Sequence, residues 1–477
     1  MSRFLWVTAV LVCLVLVQSG WAQWSSDASQ NLALANNNDG ADQVQPKVKP
    51  LSDGGWYVSW FDSDPNDQPP VGYDVYLQRL DANGYEQFPH GGIEVADLSN
   101  AWTQDYGLDI DTNGNALLAF LDTREGANWQ VTAAKMDKYG NSLWGPLGVQ
   151  LTNFKKKSNY APKIAGTSDG NVVVAWTTGI GNSSVVMVQR LDYNGNALWS
   201  KPIIFREKGS NYMLADLHAA DNGSVIVSWT RDTGFYSDHQ LRANKLSPTG
   251  KRLWGKNNVV IFDQGSLQFG EFPYFVPDGN GGAVFAWYDN SPYLQAFAQH
   301  IRADGSEAFP HNGAPGTTDT NRVSVEPSVA YNANADETFL FWTEEDEFQT
   351  VNGIYGQKFD GQGNAQWNPT GLVLVPLGTE TQTFAETVQI NGSVLVFWVD
   401  SPGYGQGTLQ AAKLNSKGYL QCAPFMVSSV SSDKYRLSAD VTPARSQLAA
   451  IAWTDDRIGN NAIYIQDVRP NCGLGEK

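Results

Sequence analysis

Apolar residues in this 477-residue chain gather into short runs instead of recurring at helical spacing, and each run closes on an aromatic residue: Trp60, Phe120, Trp176, Trp229, Trp287, Trp342, Trp398 and Trp453. Successive anchors are 60, 56, 53, 58, 55, 56 and 55 residues apart. A β-rich repeat of this length is the mark of propeller blades, each a supersecondary unit that buries its faces only against its neighbours. In the third copy the β-branched run from Val172 to Trp176 predicts a strand buried on both faces. A first strand is expected around Ile164, a third over Val185–Leu191 and a fourth opening at Trp199. The joints are Asp169-Gly170 and Asn194-Gly195, which tolerate the positive φ of tight hairpins.

The third strand ends on Leu80, Met136, Leu191, Leu246, Ile301, Phe359, Leu414 and Val468, and in the first seven copies a glycine stands four residues on. Four residues further come Phe88, Trp144, Trp199, Trp254, Phe309, Trp367 and Cys422, so a large ring is expected on the outer strand of most blades, packed against the next one. The eighth copy ends after its third strand, while Trp24 and Leu32-Ala33-Leu34 form a strand without a blade. Joining the two closes the ring and leaves no open edge. The predicted fold is therefore all-β: an eight-bladed β-propeller of four-stranded antiparallel blades, one domain over 23–477. Residues 23–45 supply the closing strand and a linker, and 469–477 form a tail.

Residues 1–22, with Arg3 ahead of about a dozen apolar residues and Gly20 and Ala22 before Gln23, read as a secretory signal too short to span a bilayer. Export to a secreted or periplasmic location is expected, with no membrane span. The remaining Cys422 and Cys472 then read as one disulfide in an oxidising space, with two free thiols as the alternative. The net charge of −17 disfavours nucleic acid and anionic lipid, and admits acidic glycans only where basic residues cluster.

The stretch Ser247 to Trp254, "SPTGKRLW", resembles the tryptophan-docking motif of quinoprotein-type eight-bladed propellers, in which glycine precedes tryptophan by four. That resemblance implies architecture only. Asp81 and Asp192 stand three residues before their glycines, and the Cys-Cys pair of the quinone site is missing, so no quinone cofactor is expected. The sialidase aspartate box is one residue tighter on each side of its glycine.

Acids follow the anchor by two in six copies, Asp62, Asp122, Asp289, Glu344, Asp400 and Asp455; such regularity reads as turn capping. Asp109, Asp111, Asn113 and Gly114 open like a calcium loop, but Phe120 stands where the bidentate glutamate belongs, and no metal site is expected. Asymmetric features carry more weight. Blade four offers Arg231, Asp232, Tyr236, Asp238 and His239 on one loop and His218 on its first strand. These are the cation, tyrosine and histidine that a polysaccharide lyase uses to neutralise a uronate and take its C5 proton. Loop aromatics Trp129, Tyr236, Tyr293, Phe348 and Tyr404 are candidates for stacking on sugar rings. The first expectation is a monomeric, non-enzymatic binding or scaffold propeller for a glycan or an extracellular or periplasmic protein. The alternatives are a lyase centred on blade four with His239, Tyr236, Arg231 and His218, and a cell-envelope assembly scaffold suggested by the docking motif.

Overall fold

The computed structural model describes residues 24–36, 40–63, 72–100, 105–123, 128–153, 157–181, 183–234, 236–290, 294–443 and 447–475. The signal expected over 1–22 lies outside them. The described residues form eight four-stranded antiparallel sheets arranged as a closed ring. Blades one to seven run over 43–100, 107–150, 159–205, 211–262, 275–315, 322–378 and 381–432. Blade eight takes three strands from 434–468 and its fourth from Leu32–Ala35. Leu32 pairs with Ile465 and Ala33 with Tyr464, so the amino-terminal strand closes the ring.

The second strand of each blade ends its apolar run on the anchor, and none of the eight anchor rings is more than 2% exposed. Its flanking strands carry apolar residues on both faces because each blade is covered by a neighbour on either side. The acids two residues past the anchor are only in part the turn caps expected: Asp455 accepts the backbone N–H of Arg457 at 3.0 Å. The second strand continues beyond the anchor, which leaves these carboxylates inside the sheet, where they accept hydrogen bonds across it. Glu344 accepts from the Trp342 indole at 2.6 Å and Asp455 from the Trp453 indole at 2.7 Å. Asp62 accepts from the Gln43 amide at 3.1 Å. Asp111 accepts the backbone N–H groups of Asn113 and Asn115 and pairs with buried Lys135 at 2.7 Å, the arrangement of a locked hairpin.

The docking rings sit just ahead of the fourth strand, not on it. In blade three the strand is Ile203–Phe205, and Trp199 belongs to the turn before it. Each indole reaches the turn of the next blade: Trp144 Nε1 donates to Tyr193 O at 2.9 Å, Trp199 to Pro248 O at 3.0 Å, Trp254 to Ala303 O at 3.0 Å and Trp367 to Ser416 O at 3.2 Å. Trp24 does the same for blade eight, donating to Ala82 O of blade one at 3.1 Å. The receiving glycine is required twice over. Gly305 has φ +87°, and a Cβ there would stand 2.7 Å from the Trp254 ring.

At the junction of blades seven and eight a disulfide joins Cys422 to Cys472. Cys422 occupies the ring position of the repeat and Cys472 the glycine position. Cys472 has φ +66° and donates its N–H to Arg469 O at 2.8 Å, just as Gly84 donates to Asp81 O at 3.0 Å. The covalent bond thus replaces the ring-on-glycine contact at this junction.

Candidate functional site: the channel and its aromatic approach

The innermost strands of all eight blades line one central cavity of about 670 Å3. Five of these strands carry a bulge with a positive-φ residue, Gln45, Ala161, Glu326, Phe384 and Arg436, which re-aims the residues that follow. The strand position opposite the residue before the anchor then holds Lys47, Gly107, Lys163, Asp216, Ser328, Glu386 or Ser438, according to blade. One position of the repeat, uniform in geometry, thus carries two cations, two acids, two hydroxyls and a glycine.

Part of this set stitches blades together. Ser328 accepts the backbone N–H of Thr387 at 2.9 Å, Ser438 that of Val48 at 3.2 Å, and Asp216 that of Phe275 at 3.2 Å. Lys47 meets Asp105 at 2.7 Å, and Lys163 pairs with the same carboxylate. Lys49 lies between Asp109 and Asp440 at 3.9 and 4.0 Å. Burial opposes charge on Asp105, yet Lys163 and Lys47 outweigh it and hold that carboxyl well below its ordinary range. Burial likewise works against Asp216, and the His218 imidazole at 3.0 Å and nearby Lys163 reverse its effect. Glu386 has no such cation among the described residues. Burial, with Asp440 nearby, pushes it up to about 8, and Asp440 is raised by burial as well. The channel therefore combines dense hydrogen-bonding capacity with little net charge.

Blade five breaks the symmetry. Its innermost strand is only Phe275–Pro277, and the segment 263–274 crosses from blade four as an irregular connector. Three aromatic rings stand exposed along six residues of it: Phe269 at 62%, Phe272 at 47% and Tyr274 at 36%. Tyr274 lines the channel, and Phe269 lies edge-on to His239 at 5.8 Å. The segment is thus an apolar track that starts beside the blade-four loop and ends in the channel. Sequence reading passed over it because aromatics are frequent everywhere in the chain. The legible signal was the twelve-residue gap between Phe262 and Phe275, longer than any other blade connection.

The blade-four candidates are divided between two places. Strand pairing sets Arg231 opposite Tyr212 and His218 opposite Ile226, five residue steps or roughly 16 Å apart along the blade. His218 lines the channel, whereas Arg231 pairs with Glu207 at 2.6 Å on the loop face. Asp232 accepts from the Asn211 amide at 2.7 Å, Tyr236 is 98% exposed, and the His239 backbone N–H donates to Ser266 Oγ at 2.9 Å. Asp238 follows Tyr236 on the same loop. Among the proposed stacking residues, Trp129 packs edge-on against Tyr160 at 5.4 Å and is half-buried. Phe348 and Tyr404 are exposed on blades six and seven, and Tyr293 lies outside the described residues. Trp129, Phe348 and Tyr404 stand on three different blades, two, six and seven, and are not gathered into one surface.

No protein-family model and no curated protein matches the chain. Among solved structures, the polysaccharide lyase Uly1 is similar at 10% identity over 92% of each chain, with a TM-score of 0.47. An ulvan lyase of a new polysaccharide lyase family is similar at 10% identity over 94% of this chain and 96% of its own, with a TM-score of 0.49. The α-L-arabinanase of Penicillium chrysogenum is similar at 11% identity over 78% and 95%, with a TM-score of 0.38. The likeness is one of architecture, and function must be argued from this chain's own residues.

The raised Glu386 gives a test of the channel. Between its ordinary 4.5 and about 8 the folded state holds a proton that the unfolded state has released, so stability falls as pH rises through that window. Glu386→Gln, which keeps the neutral form at every pH, is expected to flatten the fall. Urea midpoints at both ends of the window measure it, and identical slopes in the two proteins would refute the assignment.

Proposed function

We propose that the protein is a secreted binding propeller for a glycan, with the sugar chain laid along Phe269 and Phe272 and its end presented at Tyr274 to the channel. The observation that carries this reading is the exposed aromatic track on the one irregular blade connection. A pyranose offers an apolar face to stack on such rings and hydroxyls for the paired lysines and carboxylates beyond them. The near balance of charge in the channel suits a ligand rich in hydroxyls and poor in formal charge at that end.

The test is a panel of neutral and acidic polysaccharides, followed by both binding and product mass. Phe269→Ala combined with Phe272→Ala is expected to weaken binding by roughly tenfold or more, because exposed rings that anchor a ligand dominate its affinity. Phe269 is 62% and Phe272 47% exposed, so neither belongs to the core and the fold should tolerate the change. Unchanged affinity would remove the track from the site. Unsaturated product ends would instead favour a lyase, and His218 and Tyr274, which share the channel on adjacent blades, would be its first candidates.

A further inference from the structure

The same face carries a second cavity of about 930 Å3 one blade junction away, between blades three and four. It is lined by Lys157, by Ser183 to Val185 at the far end of the blade-three loop, and by the connector from Arg206 to Ser210. Lys157, Arg206 and Lys208 are exposed there, and none has a hydrogen bond or ion pair with any described residue. The one acid in the lining, Glu207, is already engaged by Arg231 at 2.6 Å and Tyr212 at 3.4 Å. Three uncompensated cations therefore share one cleft in a chain whose net charge is −17.

Two serines of the lining supply an independent sign. Ser184 is 1% exposed and Ser210 3%, and neither hydroxyl has a hydrogen-bond partner among the described residues. A buried hydroxyl left unpaired is costly, and a native structure that keeps two beside a cationic cleft needs a reason. An oxyanion supplies one, since it accepts from hydroxyls and is held by ammonium and guanidinium groups together. We infer that this cleft binds the oxyanion substituents, sulfate or carboxylate, of an acidic polysaccharide. The inference deepens the glycan reading by assigning the ligand an anionic substituent, but the cleft itself stands on separate residues.

Fluorescent dextran sulfate and fluorescent polygalacturonate, titrated separately against the full protein, test it and distinguish a sulfate from a carboxylate ligand. Binding to at least one is expected, weakening as salt is raised because exposed charges are screened. The triple variant Lys157→Gln, Arg206→Gln, Lys208→Gln should lower affinity by roughly tenfold or more, about 1.4 kcal/mol. Ser184→Ala with Ser210→Ala should lower it a few-fold without lowering the urea midpoint, a split that a purely structural role for the hydroxyls would not produce. The Phe269→Ala, Phe272→Ala variant should retain anion binding through the cleft, so failure of the track and failure of the cleft show up separately. The inference is overturned if neither polymer binds, if the triple variant binds as well as the native chain, or if Lys138→Gln with Lys417→Gln, exposed charges on blades two and seven outside the cleft lining, weakens binding as much.

Discussion

A chain that begins at residue 40 is expected to lose cooperative unfolding and to associate in solution, although it retains every blade anchor. Residues 24–36 contribute Trp24, Leu32 and Leu34, at 3, 6 and 0% exposure. At about 2 kcal/mol for each such side chain taken from water, their loss removes roughly 6 kcal/mol, a large part of the 5–15 kcal/mol that ordinarily separates folded from unfolded. It also bares the edge of Ala462–Val468, whose Ile463 and Ile465 are fully buried in the intact ring. An unpaired apolar edge is a template for another chain. Size-exclusion chromatography and urea unfolding measure both effects, and a peptide of residues 24–36 added in trans should reverse the association. Trp24→Ala alone should cost about 3–5 kcal/mol, through a cavity and a lost indole hydrogen bond. A truncated chain that unfolds at the native midpoint would show that the ring does not depend on its closing strand.

Breaking the disulfide is the second large effect. Cys422 and Cys472 are 50 residues apart, and a link across that separation removes about 4 kcal/mol of unfolded-state entropy in the chain-entropy treatment. Cys422→Ser should destabilise the protein by about that much, without change in the anchors' environment. The repeat suggests its own repair. With tryptophan at the ring position and glycine at the receiving position, as in blades two to four, Cys422→Trp with Cys472→Gly rebuilds the non-covalent docking and relieves the non-glycine residue at φ +66°. The double variant is expected to recover part of the loss in urea unfolding; stability no better than that of Cys422→Ser would count against equivalence of the two devices.

The protonated Glu386 and the cationic cleft both arise from contacts that residue order does not show. Tyr236 and His239 drew attention because reactive residue types lay close in sequence, but strand geometry leaves them on the loop face while His218 lines the channel. Arg231, expected to neutralise a substrate acid, is occupied by Glu207. Conversely, Lys157, Arg206 and Lys208 lie on two blade connectors about fifty residues apart and meet only because successive connectors emerge on one face.

The amino-acid sequence by itself determined the ring: eight apolar runs at nearly constant spacing, a glycine and a ring at fixed offsets, an eighth copy short of one strand and the strand that completes it. These are local and repeated, so each copy confirms the others, and the closing strand follows from what the repeat lacks; the cysteine pair is read from two cysteines in a chain expected to be exported. Only the tertiary structure decided which side chains share a space. The channel gathers one residue position from seven blades, separated by up to hundreds of residues, and backbone bulges set the direction of most of them. Packing of neighbouring blades then decides which carboxylates are paired and which, like Glu386, are left to hold a proton. Those are consequences of long-range burial and charge, and no spacing along the chain encodes them.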